Sequence, residues 1–237
     1  MTFFRKDLKI RNKLELISIH IPKTAGTSFR NFLKHVYGEQ NAVRLDINIT
    51  TKKIDIENQA FEEKKLPGNI RVIHGHFYYR DLVEQIRIEE GTPMVTWLRE
   101  PAERVISNYF YLAKRLKEEL QEESKGLNIL SKMQKSLIEY ARNEISRNRM
   151  SKFLEGANLE KFFFTGIYEH YNEDMQDFAQ LLGIKDFEIF QHNITGRKEE
   201  VDTGILEEIR SLNADDYELY NFALEIRKKR RKEAGAP

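Results

Sequence analysis

Residues 14–38 read as strand, tight loop and helix in that order, and no other stretch restricts the fold so much. Leu14 to Ile21 is apolar and β-rich and stops at Pro22. Lys23-Thr24-Ala25-Gly26-Thr27-Ser28 follows. Phe29, Phe32, Leu33, Val36 and Tyr37 then recur at helical spacing until Gly38.

The alternation continues. Val43 to Ile47 is a second short strand, whereas residues 51 to 69 are polar and irregular. Ile70 to His74 is a strand and Leu82 to Ile88 a short helix. Met94 to Leu98 is a continuous apolar run, as in strands buried on both faces. A long helix starts near Pro101. A helical insert covers about 114–155, with Leu130, Met133, Leu137 and Ala141 on one stripe. Phe162 to Ile167 is a further strand, followed by a helix carrying Tyr171, Met175, Phe178, Ala179 and Leu182 inward. C-terminal helices occupy about 203–232.

Strands alternating with helices predict one α/β domain over 1–237, with a central parallel sheet flanked by helices. Ligands of such sheets bind beyond the carboxyl ends of the strands. The loops after Ile21, His74 and Leu98 are therefore the places to look.

Lys and Arg (39) nearly balance Asp and Glu (38), so anion binding must come from local cation clusters, and no nucleic-acid partner is expected. The absence of cysteine removes disulfides, zinc–thiolate sites and thiol nucleophiles. No segment approaches the ~20 apolar residues of a membrane span, and the N-terminus lacks the apolar core of a signal peptide. A cytoplasmic location is the expectation.

The segment from Lys23 to Ser28 has the parts of an anion cradle. Gly26 and Ala25 let backbone N–H groups approach an anion, Thr24, Thr27 and Ser28 offer hydroxyls, and the helix N-terminus adds partial positive charge. Lys23 supplies a full charge. A capped strand-to-helix turn with a solvated lysine has the same composition. In a nucleotide-triphosphate loop the lysine follows the last glycine; here it precedes it. The buried run ends in Arg99 and not in a magnesium-binding aspartate, which argues against a kinase.

His74 and His76 stand two apart at a strand end, so an extended backbone points both to one side. Three readings compete: partly exposed histidines without chemistry, metal ligands, or a general base. No further ligand motif supports a metal, and an imidazole suits proton removal from an alcohol at neutral pH.

Lys23 to Ser28 resembles the 5′-phosphosulfate loop of the sulfotransferases that use 3′-phosphoadenylyl sulfate (PAPS). Leu98-Arg99-Glu100-Pro101-Ala102-Glu103-Arg104-Val105-Ile106-Ser107-Asn108-Tyr109-Phe110-Tyr111 resembles their 3′-phosphate motif, and His74-Gly75-His76 a stretch of the 2-O-sulfotransferases. The chain is most similar to the heparan and uronyl 2-O-sulfotransferases, with the 6-O enzymes next. The resemblance implies a P-loop-like fold and sulfuryl transfer from PAPS to a hydroxyl, most readily of a carbohydrate. The product nucleotide would be adenosine 3′,5′-bisphosphate (PAP), with no metal. It also implies Lys23 as the catalytic cation, His76 as base, His74 as its support, and Arg99 and Ser107 as ligands of the 3′-phosphate. Thr195, Arg197 and Lys198 fall where relatives carry a loop near the nucleotide. Tyr78, Tyr79 and Arg80 are candidates for the sugar acceptor, or equally a helix start packed on the core. A kinase-type phosphate loop and a catalytically silent nucleotide-binding module are the alternatives.

Two further features carry bland expectations. His20 reads as a core histidine without a role. The run Arg227-Lys228-Lys229-Arg230-Arg231-Lys232 reads as the solvated end of a helix, its cations complementing the dipole.

Overall fold

The computed structural model describes residues 14–63, 65–120, 135–185, 187 and 200–235. Seven strands form one sheet: β1 (Leu16–Ile19), β2 (Ala42–Ile47), β3 (Ile54–Ile56), β4 (Gln59–Phe61), β5 (Val72–Gly75), β6 (Met94–Leu98) and β7 (Phe164–Ile167). Their spatial order is β4-β3-β2-β5-β1-β6-β7. β2, β5, β1, β6 and β7 run parallel, as expected from the alternation with helices. Residues 51–69 depart from the expectation. They hold an antiparallel hairpin, β3–β4, that extends the sheet past β2. Glu57 and Asn58 sit at its tip with φ of 48° and 64°, the left-handed pair of a two-residue hairpin. Each strand of the ribbon is three residues long, so the alternation Ile54-Asp55-Ile56 is too short to stand out as a period-2 signal.

Eight α-helices are described: α1 (Gly26–Tyr37), α2 (Tyr79–Gln85), α3 (Pro101–Leu120), α4 (Leu137–Arg142), α5 (Arg149–Phe153), α6 (Tyr171–Leu181), α7 (Thr203–Ser211) and α8 (Ala214–Glu233). β1 is buried at every position, so alternate side chains feed two cores. Leu16 joins Phe29, Phe32 and Leu33 of α1 and Met175, Phe178 and Ala179 of α6 on one face. Ile17 and Ile19 join Leu82 of α2, Met150 and Phe153 of α5, and Tyr220 and Ala223 of α8 on the other. A third cluster, with Val105, Ile106, Ala141 and Ile209, packs α3, α4 and α7 together.

The cationic run near the C-terminus is docked, contrary to the solvated end read from its composition. Arg227 Nε donates to Asp174 at 2.8 Å and Arg230 NH2 donates to the same oxygen at 3.0 Å. Arg231 reaches Asp177 at 3.3 Å. Asp174 is fully buried, and its second oxygen accepts the Ile167 N–H at 2.8 Å. Burial, which raises the Asp174 carboxyl, outweighs the pull of Ile167 and these arginines. Helical spacing puts Arg227, Arg230 and Arg231 on one face, and α6 offers carboxylates at 173, 174 and 177 to meet them. Among the described residues, no helix is long and apolar enough to cross a membrane.

Candidate active site

Three neighbouring parallel strands build the site. Ser18 of β1 and Arg44 of β2 both register with His74 of β5. The period of two carries the same side onward to His20, Asp46 and His76 at the carboxyl ends. Six polar side chains thus stand on the α1 face of an otherwise apolar sheet. The two-apart spacing of His74 and His76 has the consequence expected of it.

Ser18 Oγ and His74 Nδ1 are 2.8 Å apart, and His74 Nε2 is buried without a hydrogen-bond partner. Burial first, and then the charges of His76 and Arg30, push the His74 pKa down to about 3. A buried imidazole with its pKa so lowered stays neutral at pH 7, with one ring N–H and one bare nitrogen. His76 lies nearer solvent. Its backbone N–H donates to Asp46 Oδ1 at 2.7 Å, and its Nδ1 is 3.2 Å from the same oxygen. Arg44 donates to Asp46 Oδ2 at 2.6 Å. Burial pulls the Asp46 carboxyl up, but hydrogen bonds from His76 and Arg44 win and lower it to about 2. Gly75 permits this approach, since a Cβ there would lie 1.7 Å from the Leu45 carbonyl oxygen.

His20, expected to be an inert core residue, stands in the middle of the group. Its ring centroid is 4.8 Å from that of His74 and 4.3 Å from that of His76. On its other side lies the loop: a Cβ on Gly26 would fall 1.8 Å from His20 Nε2. Burial, followed by the charges of His74 and His76, keeps the His20 pKa well below its usual value. His20 joins the loop to His76.

The loop has the shape of an anion nest. Lys23 and Ala25 take left-handed φ values of 73° and 78°, and Thr24 Oγ1 donates to the Ile21 carbonyl at 2.8 Å. Ala25 caps α1 with no side-chain hydrogen bond, and no acid occupies the first turn. The leading N–H groups of the helix are therefore left to an external acceptor. Thr27 is exposed there. Ser28 is buried and shares a hydrogen bond with Tyr171, so its hydroxyl is tied into the core side of the helix.

Lys23 and Arg99 come together. Arg99 NH1 donates to the Lys23 carbonyl at 3.4 Å. Burial lowers the Lys23 pKa, and the Arg99 charge adds to the effect. Lys23 Nζ rests 4.3 Å from the ring centre of Tyr111, and the Arg99 guanidinium 4.2 Å from that of Tyr168. Arg99 has only a long 4.0 Å contact with Glu103, and its Nε is buried with no partner. Glu103, Ser107 and Tyr111 recur every four residues along α3. Ser107 therefore shares the helix face whose neighbours meet Arg99 and Lys23. Arg104 points the other way. It is fully buried, 3.8 Å from Asp216, and donates to the Ser146 carbonyl.

The turn bearing Arg99 is fastened from behind. Glu100 accepts the Glu103 N–H at 2.6 Å and donates its own N–H to Glu169 at 3.0 Å. Tyr217 and Tyr220 of α8 donate to Glu100 and Glu169 in turn.

Tyr78 packs edge-on against Phe153 at 4.8 Å, Tyr79 borders the core, and Arg80 contacts Glu155 at 3.4 Å. That is the helix-start arrangement. Thr195, Arg197 and Lys198 lie outside the described residues. Among the described residues, no three carboxylates or histidines converge as a metal site.

Sequence reading missed Arg44, Asp46 and Tyr168, besides setting His20 aside. The signal for three of them was present: Ser18-x-His20 and Arg44-x-Asp46 repeat, on neighbouring strands, the polar alternation of His74-x-His76. The profile of the sulfotransferase family matches residues 6–223. The chain belongs to the sulfotransferase family. No curated protein sequence matches this chain. One solved structure it is similar to is the crystal structure of mouse sulfotransferase SULT7A1 complexed with PAP. The likeness is at 12% identity and a TM-score of 0.40, over 86% of this chain and 65% of the mouse chain. The chain thus spans less than two thirds of the mouse protein's length.

Proposed function

We propose that the protein transfers the sulfuryl group of PAPS to a hydroxyl of a carbohydrate or glycoconjugate, with His76 as general base. One observation carries the reading: His20 touches the Lys23–Ser28 loop at Gly26 on one side and the His76 ring on the other. The anion cradle and the base are therefore parts of one centre.

The donor set suits a nucleotide phosphorylated at both ends. The nest at Lys23–Ala25 and the open first turn of α1 provide for the 5′ side. Arg99, with an unpartnered buried Nε, and Ser107 provide for the 3′-phosphate. PAPS supplies the electrophilic sulfur and leaves as PAP.

His76 Nε2 takes the proton of the acceptor hydroxyl as the new O–S bond forms. Lys23 neutralises the charge that the breaking S–O bond delivers to the phosphate. Burial and Arg99 already disfavour its free ammonium, so an incoming anion restores a balance that the loop lacks by itself. His74 and His20 are held neutral and place no added positive charge beside the base. Positioning and fixed electrostatics do the catalytic work, as in phosphoryl transfer. A cysteine-free sequence supports a cytoplasmic setting.

The test has two arms. Thermal shift should show stabilisation by PAP beyond that by ATP, with or without magnesium. Radiolabelled PAPS, incubated with a panel of oligosaccharides, should label at least one of them. A preference for ATP with magnesium would replace sulfuryl by phosphoryl transfer. PAP binding with no labelling of any hydroxyl acceptor would reduce the protein to a binding module.

A further inference from the structure

We infer that Asp46 is the positioning residue of the base, holding His76 so that Nδ1 keeps its proton and Nε2 presents a lone pair to the acceptor hydroxyl. This rests on His76 being the base.

Two groups compete for His76 Nδ1. Asp46 Oδ1 lies 3.2 Å from it and Arg44 NH2 lies 3.4 Å from it. An ionised carboxylate only accepts and a guanidinium only donates, so the two ask for opposite tautomers. Asp46 has the advantage. Its contact is shorter, and the same Oδ1 accepts the His76 backbone N–H at 2.7 Å, which fixes the carboxylate against the ring. The Arg44 NH2 makes its much shorter contact with Asp46 Oδ2, 2.6 Å against 3.4 Å to Nδ1. Arg44 thus orients the carboxylate instead of the imidazole. The backbone N–H of Arg44 donates in turn to Glu57, which also pairs with Arg30.

The other charged or titratable groups around His76 do not supply a substitute. His20 packs tilted against it and His74 stacks on His20 in turn, both kept neutral by burial, Arg30 is held by Glu57, and no second carboxylate is within reach of Nδ1 among the described contacts. With Asp46 in place, the imidazolium formed by proton transfer is balanced by an adjacent anion, and the proton goes only to Nε2. The carboxylate remains charged throughout.

The first experiment reads the tautomer directly in the whole protein, without turnover. Nitrogen NMR of the 15N-histidine-labelled protein near neutral pH, with His76 assigned by its loss in His76→Gln, should show protonated Nδ1 and bare Nε2. Protonation at Nε2 overturns the inference. The second uses Asp46→Ala, which removes the one oxygen that faces both the His76 backbone N–H and Nδ1 and leaves the Arg44 guanidinium as the group beside Nδ1. Its kcat should fall about 100-fold, with the KM for PAPS within twofold of wild type and the tautomer reversed. An unchanged kcat overturns the inference while leaving His76 as base; an unchanged kcat in His76→Gln removes the base itself.

Discussion

The Arg99 guanidinium donates to the main-chain carbonyl of Lys23 at 3.4 Å, bridging 76 residues of sequence. One arginine thereby shapes the loop after β1 and also offers its remaining N–H groups to a ligand at the end of β6. The carbonyl it holds belongs to a residue with φ of 73°, where a non-glycine residue needs support.

Replacing either partner should divide binding from chemistry. Arg99→Ala should weaken PAP binding by about 10–100-fold, the worth of a charge-assisted hydrogen bond to phosphate. Arg99→Lys should not restore it, because an ammonium cannot hold the Lys23 carbonyl and a phosphate at once. Lys23→Ala should retain PAP affinity within about tenfold and lose about 10²–10³ in kcat. Calorimetric titration with PAP and labelled-PAPS turnover give the two readouts; equal losses in both for Lys23→Ala would contradict the separation.

Gly26→Ala should destabilise the fold by about 1–3 kcal/mol, the usual penalty for overpacking. The added methyl would coincide with the His20 ring, 1.8 Å from Nε2. Because His20 must swing away, transfer should fall further than the melting temperature alone accounts for. Combining Gly26→Ala with His20→Ala should recover most of the stability and little of the activity. Urea denaturation of both variants checks this.

Stability should decline as the medium is acidified below the ordinary histidine range. His74 titrates near 6.5 when unfolded and at about 3 when folded. Above pH 6.5 both states are neutral and its contribution is fully present. Below that, only the unfolded state takes up the proton, so stability is lost progressively until about pH 3. At pH 5 the single group removes about 2 kcal/mol, and His20, depressed in the same direction, adds to the slope. Asp46, with a folded value of about 2, contributes only at the lower end, between its unfolded range and pH 2. Denaturation midpoints from pH 7.5 to 4.5 should fall, and His74→Gln should flatten the curve.

The C-terminal helix should behave as part of the core. The double change Arg227→Ala and Arg230→Ala leaves the buried Asp174 carboxylate without its cations and should cost about 3–5 kcal/mol. Changing the exposed Lys228, Lys229 and Lys232 to alanine together should cost about 0.5 kcal/mol or less. Comparable losses for the two sets would return the segment to the status of a solvated tail. Chemical denaturation decides between them.

The local elements and the positions of the three motifs were legible in the chain itself. Leu14 to Gly38 announces strand, loop and helix because backbone propensity and hydrophobic period are short-range properties. The continuous apolar run at Met94–Leu98 likewise announces a doubly buried strand, with Arg99 at its end. The hairpin at residues 54–61 was not legible, since an edge ribbon needs little apolar alternation to pair. Neither was the docking of Arg227, Arg230 and Arg231, because a cation next to water and one over a buried carboxylate have the same sequence.

The site divides along the same line. Which residue types serve it, and that His74 and His76 share a side, follow from the order of amino acids and the geometry of one extended strand. That Ser18, His20, Arg44 and Asp46 join them depends on strands β1 and β2 lying on either side of β5 in one particular register. Sheet order and register are set by how two separate cores close over the strands, an energy summed over the whole domain. His20, just past the end of β1, therefore becomes the bridge between the loop and His76 only once the sheet has formed.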